Sequence, residues 1–129
     1  MVIDSSAFVA IILGEPERLP FSQAIVSQPV RLASAATLLE TTMVVLGRKG
    51  ESGVAELQAF IQSTSIETAP FTAAHLDSAV DAFRRFGKGR HPAGLNFGDC
   101  VSYALAKATG EPLLFKGEDF ALTDVKRAV

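Results

Sequence analysis

The sequence predicts an α/β fold in which helices flank a parallel sheet. Short apolar segments that suit strands alternate with longer amphipathic segments over the whole chain. The 129 residues are enough for one domain and too few for two ordinary ones. A hydrophobic fraction of 48% and a charged fraction of 20% are typical of a globular protein. We therefore expect a single domain spanning residues 1–129.

The first part of the chain predicts two strands and two short helices. The apolar segment MVI predicts the first strand, and Asp4 with two serines follows it and can cap a helix over Ala7 to Leu13. A stretch rich in glycine and proline then breaks the pattern. FSQAIVSQ predicts a second helix that ends before Pro29, and VRLASA predicts the second strand.

The middle of the chain predicts three helices around one strand. TLLETTMVVLGRKG predicts a helix that ends at Gly47 or Gly50, and SGVAELQAFIQST predicts a separate amphipathic helix. SIETAPF predicts the third strand. TAAHLDSAVDAFRRFG then predicts a helix with Leu76, Val80 and Phe83 on one face.

The last part of the chain predicts a loop, a helix and a short strand. KGRHPAGL is a loop by its glycine and proline content. NFGDCVSYALAKATG predicts a helix that ends at Gly110, and PLLF predicts a very short strand that leads into KGEDFALTDV. We find no internal repeat, linker or low-complexity segment.

Composition excludes several classes of protein. Twelve Lys and Arg residues against 14 Asp and Glu give a net charge of −2, so the chain is not a globally basic nucleic-acid binder. The single cysteine, Cys100, excludes an internal disulfide framework, and we expect a small buried residue there. No apolar run is long enough to cross a bilayer, so we expect a cytosolic protein without a membrane partner.

Four acidic residues occupy positions that the predicted fold brings to one edge of the sheet. They are Asp4, at the end of the first strand, Glu40 and Asp99, near the starts of two helices, and Asp119, after the last strand. Because ligands bind beyond the carboxyl ends of parallel strands, we expect the four carboxylates to be neighbours. Each also has an ordinary structural explanation, as a helix cap, a first-turn acid or a turn residue.

Such a group of carboxylates predicts a metal site. Four carboxylates at one edge repel one another unless a cation or bound protons relieve the repulsion. Oxygen ligands without a His or Cys cluster favour Mg²⁺ or Mn²⁺ over zinc. Such ions bind phosphate oxygens and lower the pKa of bound water. The residues alone therefore predict a metal-dependent enzyme that acts on phosphate esters.

Four segments together resemble the PIN domain, and specifically the VapC-type toxin ribonucleases of bacterial toxin–antitoxin pairs. They are MVIDSSAFVAIILGEPE, SAATLLET, LNFGDCVSYALAK and PLLFKGEDFALTDV, in this order. The resemblance implies a three-layer α/β/α sandwich with a central, mainly parallel sheet. It also implies a Mg²⁺-dependent endoribonuclease, with Mn²⁺ as a substitute, that forms a homodimer in the bacterial cytoplasm and is inhibited by a cognate VapB-type antitoxin.

The resemblance assigns a role to each acid. Asp4 and Asp99 match the acids that hold the metal most directly. Glu40 matches an acid that ligates the metal or orients a bound water, and Asp119 one that completes a second site or acts through water. Because all four acids are present, we expect an active enzyme.

Two polar residues are candidate supports of these acids. Ser6 aligns with a polar position beside the first acid and is a candidate hydrogen-bond partner of a carboxylate or water, with helix capping as the alternative. Asn96 precedes the helix that carries Asp99 and is a candidate cap, with a role in the site as the alternative. We interpret Glu118 and Asp124 as solvated or turn residues.

Two further segments are candidate partner surfaces. RRFGKGRHPAG places four cations before Asp99, where they would hold RNA phosphates or form only a solvated helix end; they are Arg84, Arg85, Lys88 and Arg90. By family analogy the RNA would be a transfer RNA or a ribosomal RNA loop. The apolar stretch from Phe8 to Phe21 suits either an antitoxin groove or the core.

Three alternative functions remain open from the sequence. A Mg²⁺-binding receiver-like signalling domain also uses acids at strand ends, but it would need paired acids at the first strand and an aspartate after the third. A catalytically silent PIN-like module would bind only its antitoxin or operator DNA. Cleavage of DNA is disfavoured because the chain lacks the additional elements with which larger PIN relatives grip duplexes.

Overall fold

The computed structural model describes all 129 residues and contains four short strands, five helices and one 3₁₀ turn. The elements are β1 (Val2–Ile3), α1 (Ser5–Ile12), α2 (Arg18–Val26), β2 (Leu32–Ser34), α3 (Ala35–Ser63), β3 (Glu67–Ala69), α4 (Ala73–Phe86), α5 (Phe97–Thr109), β4 (Leu113–Leu114) and the 3₁₀ turn Asp119–Leu122. The predicted order of strands and helices is confirmed, except that two predicted helices are joined in the single helix α3.

The strands form one parallel sheet in the order β3-β2-β1-β4. In the centre of the sheet, Val2 of β1 pairs with Leu32 of β2 on one side and with Leu113 of β4 on the other. Because all four strands point the same way, their carboxyl ends lie at one edge. Asp4 follows β1 directly at this edge, and the segment with Asp119 leaves β4 there.

The core has two layers, one on each face of the sheet. Successive residues of a strand point to opposite faces, so Val2 packs into one hydrophobic cluster and Ile3 into the other. The Ile3 cluster is formed mainly with α1, α2 and α3, and the Val2 cluster mainly with α5 and the C-terminal segment. This arrangement confirms the α/β/α sandwich.

Cys100 lies in the second of these clusters and is 5% exposed, as expected for a small apolar residue. Burial raises the pKa of its thiol to about 11. The thiol is therefore protonated and unreactive at neutral pH. None of the helices combines the length with the apolar character that crossing a membrane requires.

Helix α3 differs from the prediction because it continues past both glycines at which it was expected to end. Gly47 lies within the helix, whereas Gly50 has φ of 68° and ψ of −162° and marks a kink between two helical segments. Only glycine adopts this backbone conformation without strain, because it has no Cβ. The second predicted helix therefore begins directly at the kink, without a connecting loop.

Replacing Gly50 by alanine is expected to lower the free energy of unfolding by about 1–3 kcal/mol, since alanine is strained at positive φ. The matched control is Gly47→Ala, because Gly47 lies in regular helix and a methyl group added there would have no neighbour within 4 Å. That change should stabilise the protein by about 0.5–1 kcal/mol. Urea unfolding of both variants checks the prediction, and equal effects would contradict it.

Candidate active site

The four acids predicted from the sequence line one cavity of about 290 Å³ at the carboxyl edge of the sheet. They come from four separate segments. Asp4 is the N-cap of α1, Glu40 lies in the second turn of α3, Asp99 is the third residue of α5, and Asp119 begins the 3₁₀ turn. Residues that are far apart in sequence thus converge because the sheet is parallel.

Asp4 is the most buried of the four acids, with 2% of its surface exposed. Its Oδ2 accepts hydrogen bonds from the backbone N–H of Ser6 at 3.0 Å and from Ser6 Oγ at 2.6 Å. Its Oδ1 accepts one from Ser102 Oγ at 2.6 Å. Three donors therefore compensate for its burial and fix the orientation of both carboxylate oxygens.

Ser102 is a site residue that sequence reasoning missed. It is fully buried on α5, one turn after Asp99, and its hydroxyl also lies 3.4 Å from Thr37 Oγ1 on α3. Side chains three residues apart on a helix share a face. A serine within the apolar run CVSYALA, spaced by three from an acid, was the signal that pointed to it.

Asp99 and Asn96 form a capping box at the start of α5. Asn96 Oδ1 accepts from the backbone N–H of Asp99 at 2.9 Å, and Asp99 Oδ2 accepts from the backbone N–H of Asn96 at 3.0 Å. Burial, with smaller contributions from the negative charges of Asp4, Asp119 and Glu40, raises the pKa of Asp99 to about 6, while the hydrogen bond from the backbone of Asn96 opposes the shift.

Glu40 has a carboxylate oxygen that is buried and has no partner. Its Oε1 makes no hydrogen bond although it is shielded from solvent. The carboxylate lies against the backbone of Gly98 on α5, so close that a Cβ at position 98 would collide with both of its oxygens. An unpartnered buried oxygen of this kind is costly unless a ligand satisfies it.

The donors of the cavity fit a hard divalent cation. The charged oxygen donors are four carboxylates, one Glu40 oxygen lacks a partner, and three negative charges disfavour the ionised form of Asp99. No three acidic, histidine or cysteine side chains converge closely enough in the structure to enclose an ion. Binding a cation therefore requires side-chain rotation, for which Asp119, the exposed acid of the four, has most freedom.

The four predicted RNA-binding cations lie outside the wall of this cavity. Arg85 pairs with Asp81 and Asp124 and stacks on Phe86, and Arg84 lines a separate apolar groove. Lys88 and Arg90 are exposed in the loop that follows α4. The only cation in the wall is Lys116, which sequence reasoning did not single out.

Asp99→Asn is expected to stabilise the metal-free protein at neutral pH. The folded protein holds the Asp99 proton with a pKa of about 6, against 3.8 for an ordinary aspartate, so wild-type stability falls as pH rises through this window. Asparagine is neutral throughout and keeps the capping oxygen. Because Asp99 is partly exposed, we expect a gain of about 1 kcal/mol above pH ~7 and none below pH ~4.

Thermal unfolding in chelator across this pH range measures the effect. Asp77→Asn is the matched control, because Asp77 is exposed on α4 and lies outside the cavity. A stability difference between Asp99→Asn and wild type that does not change with pH would contradict the prediction.

Comparison with known proteins shows similarity over nearly the whole chain. The family model described as PIN domain matches residues 1–126. A protein named Ribonuclease VapC from Mycolicibacterium smegmatis is 52% identical over 125 residues, which cover 97% of both chains. Ribonuclease VapC30 from Mycobacterium tuberculosis is 48% identical over 125 residues, which cover 97% of this chain and 95% of that protein.

A solved structure shares the same fold. Mycobacterium tuberculosis VapC20, described in its title as a sarcin-ricin loop cleaving toxin, superposes with a TM-score of 0.78. The match covers 96% of this chain and 95% of that one, at 21% sequence identity.

Proposed function

Because this chain belongs to the PIN domain family and is a metal-dependent VapC ribonuclease, the toxin of a VapBC toxin–antitoxin pair, we propose that the four acids of the cavity form its active site. The observation that carries the proposal is their convergence from four separate segments on one cavity at the carboxyl edge. A receiver-like domain is not favoured, and neither is a silent module, since the chain matches VapC ribonucleases at up to 52% identity.

We propose Mg²⁺ as the metal, with Mn²⁺ as a substitute, because the donors are all hard oxygens. A bound divalent ion lowers the pKa of water and neutralises charge on the phosphate during displacement. Asp4 and Asp99 would hold the ion most directly, and Asp119 would complete the set. The unpartnered Oε1 of Glu40 is free to accept a hydrogen bond from the attacking water and so to orient it.

The remaining residues of the site act by positioning. Ser6 and Ser102 hold the Asp4 carboxylate through three hydrogen bonds, and Asn96 holds Asp99 at the start of α5. Water attack on the phosphorus with loss of the 3′ oxygen would leave a 5′-phosphate and a 3′-hydroxyl. For the substrate we propose a loop of transfer RNA or ribosomal RNA in the bacterial cytoplasm, and the description of VapC20 as a sarcin-ricin loop cleaving toxin supports an RNA loop.

For the homodimer we propose an interface on α4 and α5. Leu76, Val80 and Phe83 share one face of α4, as predicted, but 40–52% of their surface is exposed. With Phe97 and Val101 they line an apolar groove of about 500 Å³. Phe97 is 79% exposed and lies two residues before Asp99, so pairing of two copies here would bring the two active sites close together.

Phe97→Asp is expected to convert a dimer to a monomer, because it places a charge in the wall of this apolar groove. Sedimentation velocity measures the change. Leu122→Asp is the control, since Leu122 is 54% exposed and lies outside the groove. A Phe97→Asp protein with the sedimentation coefficient of wild type would exclude this interface.

For the cognate VapB antitoxin we propose a surface on α3 beside α1. The segment from Phe8 to Phe21 offers little surface to an antitoxin, because both phenylalanines are buried in the core. Within that segment the exposed large apolar side chain is Leu19, at 66%, whereas three lie together on α3, where Leu39, Met43 and Leu46 are 44–65% exposed. An amphipathic antitoxin segment would cover this face, which lies next to Glu40.

Cleavage of total cellular RNA by antitoxin-free protein tests the proposed function. Reactions contain Mg²⁺, Mn²⁺ or chelator, and Asp99→Asn is assayed beside wild type, with new RNA ends mapped by sequencing. We expect discrete, metal-dependent products that the variant does not form. Absence of cleavage by well-folded protein that binds metal would overturn the proposal.

A further inference from the structure

Lys116 is the only cation in the wall of the acidic cavity. It lies just beyond β4, at the edge where the four carboxylates meet. RNA is a polyanion and must bring its phosphates to these carboxylates to be cleaved. A fixed positive charge beside the site would offset the repulsion of the phosphates next to the bond that is cut.

The backbone of Lys116 is joined to the proposed active site. Its N–H donates to Ser6 Oγ at 3.0 Å, and the same hydroxyl donates to Asp4 Oδ2 at 2.6 Å. One hydroxyl therefore links Lys116 to the most buried acid. A shift of the segment after β4 relative to Asp4 would break this link, so the site restrains the backbone position of Lys116.

The ammonium group of Lys116 is paired in the structure with two carboxylates outside the cavity. It donates to Glu15 and lies 3.2 Å from Glu17, both in the linker between α1 and α2. The hydrogen bond to Glu15 raises the pKa of Lys116, so the side chain stays charged. With 39% of the lysine side chain exposed, such pairs contribute little stability and can be exchanged for another anion.

We propose that Lys116 binds a backbone phosphate of the RNA next to the bond that is cleaved, and that Glu15 and Glu17 pair with its ammonium group in the absence of RNA. This inference rests on the proposed function, because it assigns a substrate contact in the same site. The alternative is that Lys116 only tethers the linker between α1 and α2 to the end of β4.

The salt dependence of RNA binding distinguishes these two roles. Binding of a fluorescein-labelled single-stranded RNA of mixed sequence is measured by anisotropy, with Asp99→Asn protein in chelator so that no cleavage occurs. Adding Lys116→Met should weaken binding by roughly tenfold at low salt and make the plot of log K against log salt shallower by about 0.7, the value for one phosphate contact on a single strand.

Lys126→Met is the matched control. It removes the same charge from an exposed lysine at the opposite edge of the sheet, where the backbone carbonyl of Lys126 accepts from Leu113 at the start of β4. We expect the salt slope of this variant to equal that of the Asp99→Asn protein from which it is made. Glu15→Gln with Glu17→Gln should tighten binding, because it removes the two groups that compete with phosphate for Lys116.

A salt slope unchanged by Lys116→Met, or changed equally by Lys126→Met, would overturn the inference. If Lys116 served only as a tether, its loss and the loss of its two partners would have the same effect. Both Lys116→Met and the double variant Glu15→Gln, Glu17→Gln would lower the melting temperature, and neither would change the salt slope of RNA binding. These outcomes are separate from the proposed function, which fails when wild-type protein shows no metal-dependent cleavage of RNA or when Asp99→Asn cleaves as wild type does.

Discussion

Asp4→Asn is expected to reduce metal-dependent RNA cleavage by at least about a thousandfold, equivalent to ~4 kcal/mol of transition-state stabilisation. The substitution removes one negative charge and almost no volume. It takes the charge from the most buried acid of the cavity, whose oxygens have the most tightly defined orientation. A divalent ion proposed to bind there loses its best-oriented ligand.

The same substitution should leave the fold intact. Asp4 caps α1 by accepting the N–H of Ser6, and asparagine is an equally good N-cap. Ser102 donates to Asp4 Oδ1, and its hydroxyl can rotate to accept from an amide instead. We therefore expect a melting temperature close to that of wild type in chelator, whereas Asp4→Ala would also lose the cap.

Activity of Asp4→Asn is measured as the rate of appearance of the mapped RNA ends in Mg²⁺. Asp77→Asn, which neutralises an exposed acid on α4, should cleave at the wild-type rate. The rise in melting temperature on adding Mn²⁺ gives a second measure, and it should be smaller in Asp4→Asn than in wild type. A folded Asp4→Asn protein with near-wild-type cleavage would exclude Asp4 from the active site.

The sequence was sufficient to predict the convergence of the acids, because it depends on strand direction. Once the short apolar segments are interpreted as parallel strands, their carboxyl ends must share an edge. Asp4 and Asp119 then lie at that edge directly. Glu40 and Asp99 follow because each lies early in a helix that begins there, although Glu40 is in the second turn of α3.

The supporting contacts could not be predicted in the same way, because they depend on how two helices pack. Ser102 reaches Asp4, and Gly98 admits Glu40, only because α5 approaches both β1 and α3. The sequence shows a serine in an apolar run and a glycine in a helix start, and both have ordinary explanations. Lys116 was missed because one lysine after a strand carries no pattern.

The exposed apolar face of α4 has a different cause. Helical spacing correctly places Leu76, Val80 and Phe83 on one face, but spacing does not say what covers that face. In this chain α4 packs on α5 through small residues, with Ala79 and Ala82 buried. An amphipathic pattern therefore identifies the apolar face, but it does not show whether the same chain buries that face. A partner surface and a core surface have the same sequence pattern.

Gly98→Ala is expected to lower RNA cleavage by about a hundredfold while leaving the protein folded. The new Cβ would collide with both carboxylate oxygens of Glu40 and would lie 2.7 Å from its Cδ, so the Glu40 side chain must move away. Misplacing a catalytic group by about 1 Å can cost a factor of this size. Alanine itself suits the first turn of α5, so stability in chelator should be maintained.

The collision can be tested by shortening the side chain that it displaces. Glu40→Asp retracts the carboxylate by one methylene, so Gly98→Ala should cost much less activity in that background than in wild type. Gly47→Ala controls for a glycine-to-alanine change in a helix with open space around it. An equal loss of cleavage activity in the two backgrounds would mean that Gly98→Ala acts through α5 itself. Glu40 would then not be the group that Gly98 accommodates.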